Sequence, residues 1–147
     1  MCLDATHCPR RPTAPSSPDD FFALMSRRLA AQGGLIAEAV LREQWQQRGR
    51  PQHELDESLS SDRLSSIRRG SQRWLPGFQL HADGCTPRAE VAVIAEELAS
   101  GMDAAEILAC FACRNASLDG ETPIARLRTS LPAVLDAARL DSFICSA

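Results

Sequence analysis

The sequence predicts a mainly α protein: a small helix-turn-helix module with a β-hairpin, followed by a C-terminal helical bundle. Two observations carry this fold class. Aromatic residues make up 5% of the chain and Tyr is absent, so the core must be built from Leu, Ala, Val and Ile, which favours helices over a β-sandwich. Apolar residues also recur at helical spacing, in stretches punctuated by capping residues, Gly and Pro. With 147 residues, 44% hydrophobic and 24% charged, the composition is that of an ordinary soluble protein with room for two small domains.

Residues 1–17, rich in Pro, Ser, Thr and Arg, are expected to form a disordered arm. Ser17 then caps a helix, with Pro18 in its first turn and Asp19 and Asp20 at the positive end of its dipole. Phe21, Phe22, Leu24, Met25 and Leu29 give that helix an apolar stripe, and Gly33 with Gly34 stops it. A second helix is predicted over 35–48, with Leu35, Ala39, Leu41 and Trp45 as its apolar positions and Gly49 and Pro51 at its end. Residues 52–61 are weakly helical. The apolar stretches 64–67 and 73–75 flank an Arg-rich turn, which predicts a β-hairpin. Pro76 and Gly77 close this module, assigned to 18–80.

The C-terminal domain is assigned to 81–147, beginning with a polar linker over 81–86. Thr86 and Pro87 are expected to open a helix reaching Ala99, and Asp103 with Glu106 forms a capping box for a helix over 104–114. Asp119 and Gly120 then make a tight turn, Thr122 caps another helix and Pro123 suits its first turn. Ser130 caps a last helix through Leu131, Val134, Leu135 and Ala138. Residues 140–147 are read as a mildly apolar tail carrying Phe143 and Ile144.

Charge is uneven along the chain. Residues 1–80 hold eleven Arg against nine acids, a net of +2; residues 81–147 hold five Arg against ten acids, a net of −5. An acidic C-terminal half suits a basic protein partner better than nucleic acid. The basic cluster is Arg63, Arg68, Arg69 and Arg73, four Arg and no acid in eleven residues, and on a hairpin wing these side chains would meet DNA phosphates. The stretch just upstream, 51–62, holds Glu54, Asp56, Glu57 and Asp62 and no Arg, which opposes insertion of that helix into a major groove.

The residues point away from catalysis. Cys110 and Cys113 form a CxxC inside an apolar helix, where core packing is the expected role; no second pair at helpful spacing completes a zinc site, so neither metal nor cofactor is expected. The three His show no pairing with a nucleophile, and the adjacent acids Glu96 and Glu97 point to different helix faces. No apolar run reaches the ~20 residues that span a bilayer, and the six Cys form no compact disulfide framework. The expectation is a reduced cytoplasmic protein that is not an enzyme.

Phe111, Asn115, Leu118, Gly120, Thr122, Pro123, Ile124 and Leu127 stand in an order that resembles the C-terminal toxin-binding domain of Xre/MbcA/ParS-type antitoxins, over roughly 89–139, with Phe111 where the family often has Trp. Residues 34–80, two helices and an Arg-rich hairpin before Phe78 and Gln79, resemble an excisionase-like winged helix-turn-helix that has lost groove chemistry. The resemblance implies an antitoxin-like homodimer that neutralises a cognate toxin of the RES type, which consumes NAD, by covering its active-site cleft. Partner binding is then expected at the surface shaped by Phe111, Asn115, Leu118, Gly120, Thr122 and Pro123, and at the tail through Phe143 and Ile144. The alternatives are a small DNA-binding transcriptional regulator recognising an operator and an adaptor that inhibits an unrelated protein through the same acidic surface.

Overall fold

The computed structural model describes residues 17–61 and 63–146, so the expected arm over 1–16 lies outside the described residues. These residues form seven α-helices and one three-stranded sheet, the mainly α class expected, in two compact units that part between Ala92 and Val93. Residues 81–92 therefore pack with the N-terminal unit.

In that unit, α1 (Pro18–Leu29) begins as anticipated: Ser17 Oγ accepts from the Asp20 N–H at 3.1 Å, and Pro18 occupies the first turn. The next segment differs from the sequence expectation. Leu35–Ala37 is not the start of a helix but a strand, β1, and α2 runs over Glu38–Gln47. Pairing outweighs propensity here. Leu35, Ile36 and Ala37 lie antiparallel to Pro76, Leu75 and Trp74 of β3 (Gln72–Pro76). The Gly77 N–H donates to the Gly34 carbonyl at 2.9 Å, and a Cβ on Gly77 would stand 2.6 Å from the Gly33 carbonyl oxygen. Only glycine lets the two backbones come that close.

After α3 (Gln52–Ser60), the hairpin forms from β2 (Ile67–Arg69) and β3, so the sheet order is β1-β3-β2. β2 sits slightly later than the apolar stretch 64–67 suggested and β3 reaches one residue beyond 73–75 at each end, with Gly70 at φ 61° in the turn. Successive residues of a strand face opposite sides. On one side Phe22 of α1 meets Trp74 edge-on at 5.4 Å between ring centres. On the other, Leu75 joins Leu41, Trp45, Leu55, Leu64, Leu80 and Cys85 in a buried cluster. Residues 81–86 are held rather than loose: Trp45 Nε1 donates to the Cys85 carbonyl at 3.2 Å, and an Arg48 guanidinium nitrogen to that of Asp83 at 2.7 Å. The Asp83 carboxyl takes hydrogen bonds from the Thr86 hydroxyl and from the N–H groups of Thr86 and Cys85, which hold its pKa well below the usual carboxylate range. Thr86 is thus spent on Asp83, and α4 (Ala89–Leu98) starts two residues later than a Thr86 cap would place it.

In the C-terminal unit, the capping box of Asp103 and Glu106 opens α5 (Ala104–Ala112). That helix ends before Asn115, whose side chain instead accepts from the Ser117 N–H at 2.8 Å and starts a 3-10 turn over Ala116–Leu118. Asp119 (φ 57°) and Gly120 (φ 80°) turn the chain left-handed, and Thr122 caps the short α6 (Pro123–Arg126). Ser130 caps α7, as expected. The tail reading is overturned: α7 extends over Leu131–Ser146, so Phe143 and Ile144 sit on a helix. No Gly or Pro breaks the helix after Pro132, and its polar residues near the end are paired inward. Asp141 is 1% exposed, and Ser142 is hydrogen-bonded to Ser100. Among the described residues no helix is long and apolar enough to cross a membrane.

Candidate functional site

The residues of the expected partner-binding motif divide by exposure. Phe111, Asn115, Leu118 and Pro123 are buried and build the joint. Asn115 is its hub. Its N–H donates to the Glu121 carbonyl at 3.0 Å, and its own carbonyl accepts from the N–H groups of Leu118 and Gly120 at 3.0 Å each. Gly120 is exposed and Thr122 half-buried. Cys110 lies in the core at 1% exposure, beside half-buried Cys113, and neither is in a disulfide. Among the described residues no three His, Cys, Asp or Glu side chains gather as a metal site.

The outward face of α7 is a different matter. Phe143 is 72% exposed, Leu140 46% and Ile144 45%. At positions i, i+3 and i+4 they lie side by side on one face of the last two turns. Single exposed apolar side chains are ordinary, whereas these three form one contiguous apolar patch. Leu140 escaped the sequence reading because it was assigned to a tail. The signal was present, since the spacing of 140, 143 and 144 is helical. The electrostatic setting matches an acidic half-molecule. Residues 93–146 hold four Arg against eight acids, a net of −4. Arg126 is engaged by Glu121 at 3.0 Å and Asp119 at 3.8 Å.

In the N-terminal unit the expected basic cluster does not form one patch. Arg73 lies 3.1 Å from Glu38, which also pairs with Arg42 at 3.2 Å; Arg42 in turn reaches Asp56 of α3 at 2.7 Å. The hydrogen bond to Asp56 is the main cause of the raised Arg42 pKa. This chain of charges ties β3, α2 and α3 together, and it occupies Arg73. Arg69 lies over the Phe22 ring at 4.7 Å and 3.6 Å from Asp19. Arg68 is exposed and opposite Arg73 in the register, with no ion pair among the described residues. Arg63 is off the hairpin altogether. It lines a cleft of about 380 Å³ with Trp45, Arg50, Glu54, Glu57 and Arg88, where cations and acids are mixed. The exposed side of α3 presents Asp56 and Glu57.

No family model matches the chain, and neither the curated proteins nor the solved structures include a significant match.

Proposed function

We propose that this chain is an antitoxin-like protein that binds and neutralises a cognate protein toxin through its C-terminal unit. The observation that carries the reading is the exposed apolar face of Leu140, Phe143 and Ile144 on α7, set in a unit of net negative charge. An apolar anchor on a unit of net negative charge fits a partner whose cleft is apolar within and basic around it. The motif resemblance supplies the class of partner: a RES-type toxin that consumes NAD, whose active-site cleft the C-terminal helices would cover. It also carries homodimerisation, which light scattering reads directly. The test is co-expression with the RES-type protein encoded beside this chain, with co-purification and NAD consumption as readouts. Stable co-purification with NAD consumption suppressed supports the reading. A toxin left active and uncaptured beside this chain sinks it.

The second reading is a DNA-binding regulator. It is favoured by the element order α1-β1-α2-α3-β2-β3, which is that of a winged helix-turn-helix, and by exposed Arg68 on the hairpin. Against it stand the acids on α3 and the pairing of Arg73 with Glu38. Specific operator binding that weakens steeply with salt, and is lost in Arg68→Glu, would support it.

A further inference from the structure

The cleft of about 380 Å³ in the N-terminal unit is bordered by a cation that the fold fixes in place. Arg50 follows α2, and its guanidinium carbon lies 3.9 Å from the centre of the Trp45 ring, which is itself 1% exposed. Its Nη1 donates to the Thr86 hydroxyl oxygen at 3.0 Å, and that hydroxyl is oriented in turn by its bond to the Asp83 carboxylate. The other edge of the guanidinium is unspent. Nη2 stands 3.7 Å from a Glu54 carboxylate oxygen, beyond hydrogen-bond reach, and Nε has no hydrogen-bond partner among the described residues. Nε and Nη2 together form an edge that can take both oxygens of a carboxylate at once. The Arg50 side chain is 27% exposed, so a ligand in the cleft can reach it.

The rest of the lining decides what kind of carboxylate fits. Arg63 and Glu57 both border the cleft, both are exposed, and neither has an ion pair among the described residues. Arg88 is held by Glu90 at 2.8 Å. A ligand with several negative charges, such as a phosphate ester, would meet Glu54 and Glu57, and a purely cationic one would meet three Arg. A molecule with one carboxylate and one ammonium answers both signs. Pro87, Ala89 and Ala92 add an apolar stretch, and the volume falls in the range of about 300–1,000 Å³ usual for small-molecule sites. We propose that this cleft binds a small zwitterion of the amino-acid class with an apolar side chain. Arg50 pairs with its carboxylate, Glu57 with its ammonium, and Pro87, Ala89 and Ala92 meet its side chain. The site lies in the unit that does not carry the α7 face, and it rests on neither reading of the protein's function.

The test is a titration of the full chain, followed by proton–nitrogen NMR, with L-valine, L-leucine, L-methionine and L-phenylalanine in turn at millimolar concentrations. The indole N–H of Trp45, bonded to the Cys85 carbonyl beneath Arg50, is the reporter. That of Trp74, packed against Phe22 on the other side of the sheet, is the control. At least one of the four should shift the Trp45 signal saturably and leave that of Trp74 in place. The tightest binder should lose at least about tenfold in affinity as its N-acetyl derivative, which lacks the ammonium, and as its amide, which lacks the carboxylate. Arg50→Lys keeps the charge without the fork and should weaken the amino acid by about tenfold. Glu57→Gln, at an exposed position, should weaken the amino acid and leave binding of its N-acetyl derivative unchanged. The proposal is overturned if none of the four shifts Trp45, or if the derivative or the amide binds as well as the parent. It is equally overturned if Glu57→Gln leaves the amino acid unaffected or weakens it and its derivative alike, a comparison that decides the matter should Arg50→Lys not fold.

Discussion

Gly101 tests how far α7 runs and what it packs against. The glycine lies between α4 and α5, and an added Cβ would stand 3.0 Å from the Cys145 Cβ, 3.2 Å from the Ser142 carbonyl oxygen and 3.3 Å from the Cys145 carbonyl carbon. Two of these three neighbours are backbone atoms, so a rotamer change cannot relieve the contact. Replacing Gly by Ala would by itself stabilise the chain by about 0.4–1 kcal/mol through lost freedom in the unfolded state. Overpacking against backbone costs about 1–3 kcal/mol and outweighs that gain. Gly101→Ala should therefore be less stable by roughly 1–2 kcal/mol. Gly101→Val should lose more, because its extra methyl groups meet the same turn. The assay is urea denaturation followed by circular dichroism, since both Trp residues lie in the N-terminal unit and do not report here. Stabilisation of Gly101→Ala would refute the reasoning, because it would mean that the last turn of α7 does not lie over Gly101.

Three further outcomes follow from the joint and its core. Gly120 has φ 80° with open space around it, so Gly120→Val should cost about 1–3 kcal/mol by backbone strain alone, seen as a lower urea midpoint. The Asp141 carboxyl has its folded-state pKa raised to about 6 from an ordinary value near 3.8. The folded state then binds the extra proton between those values, so this group's contribution to stability is best below about pH 4 and falls as pH rises through 6. At about 1.4 kcal/mol per pKa unit the difference is at most about 3 kcal/mol. Urea midpoints of wild type and Asp141→Asn should converge at low pH and separate at pH 7.5, with the variant the more stable. Cys110→Ser buries a hydroxyl where a thiol packed, and should lower stability by about 1–3 kcal/mol, while stoichiometric zinc in the wild type would contradict the core role of this thiol.

Local signals were legible where a residue's role is settled within a few positions of sequence. Ser17, Thr122 and Ser130 cap the helices assigned to them, Asp103 and Glu106 form their box, and Gly120 is left-handed. What was lost depended on partners far away in the chain. Leu35–Ala37 reads as helix until β3, about 40 residues later, pairs with it. Thr86 reads as a cap until Asp83 takes its hydroxyl. Asp141 and Ser142 read as part of a tail beyond the last helix, yet Asn115 and Ser100 bring them inside and α7 continues through them. The same effect reshaped the candidate sites. The Arg cluster is contiguous in sequence, but the fold spends Arg73 on Glu38 and Arg69 on Asp19 and Phe22, and places Arg63 elsewhere. Phe111, Asn115, Leu118 and Pro123 of the motif are buried in the joint, and Leu140 joins Phe143 and Ile144 on an exposed face of α7.

The central claim, that the outer face of α7 holds the toxin, is tested most directly by titrating the co-expressed RES-type protein with wild type and with Leu140→Ser plus Phe143→Ser, melting temperature being recorded alongside. Both side chains are exposed, so the fold should not depend on them. Loss of two anchors at the centre of an interface should weaken binding by at least about 100-fold. The account predicts that loss with an unchanged melting temperature; wild-type affinity in the double variant would contradict it.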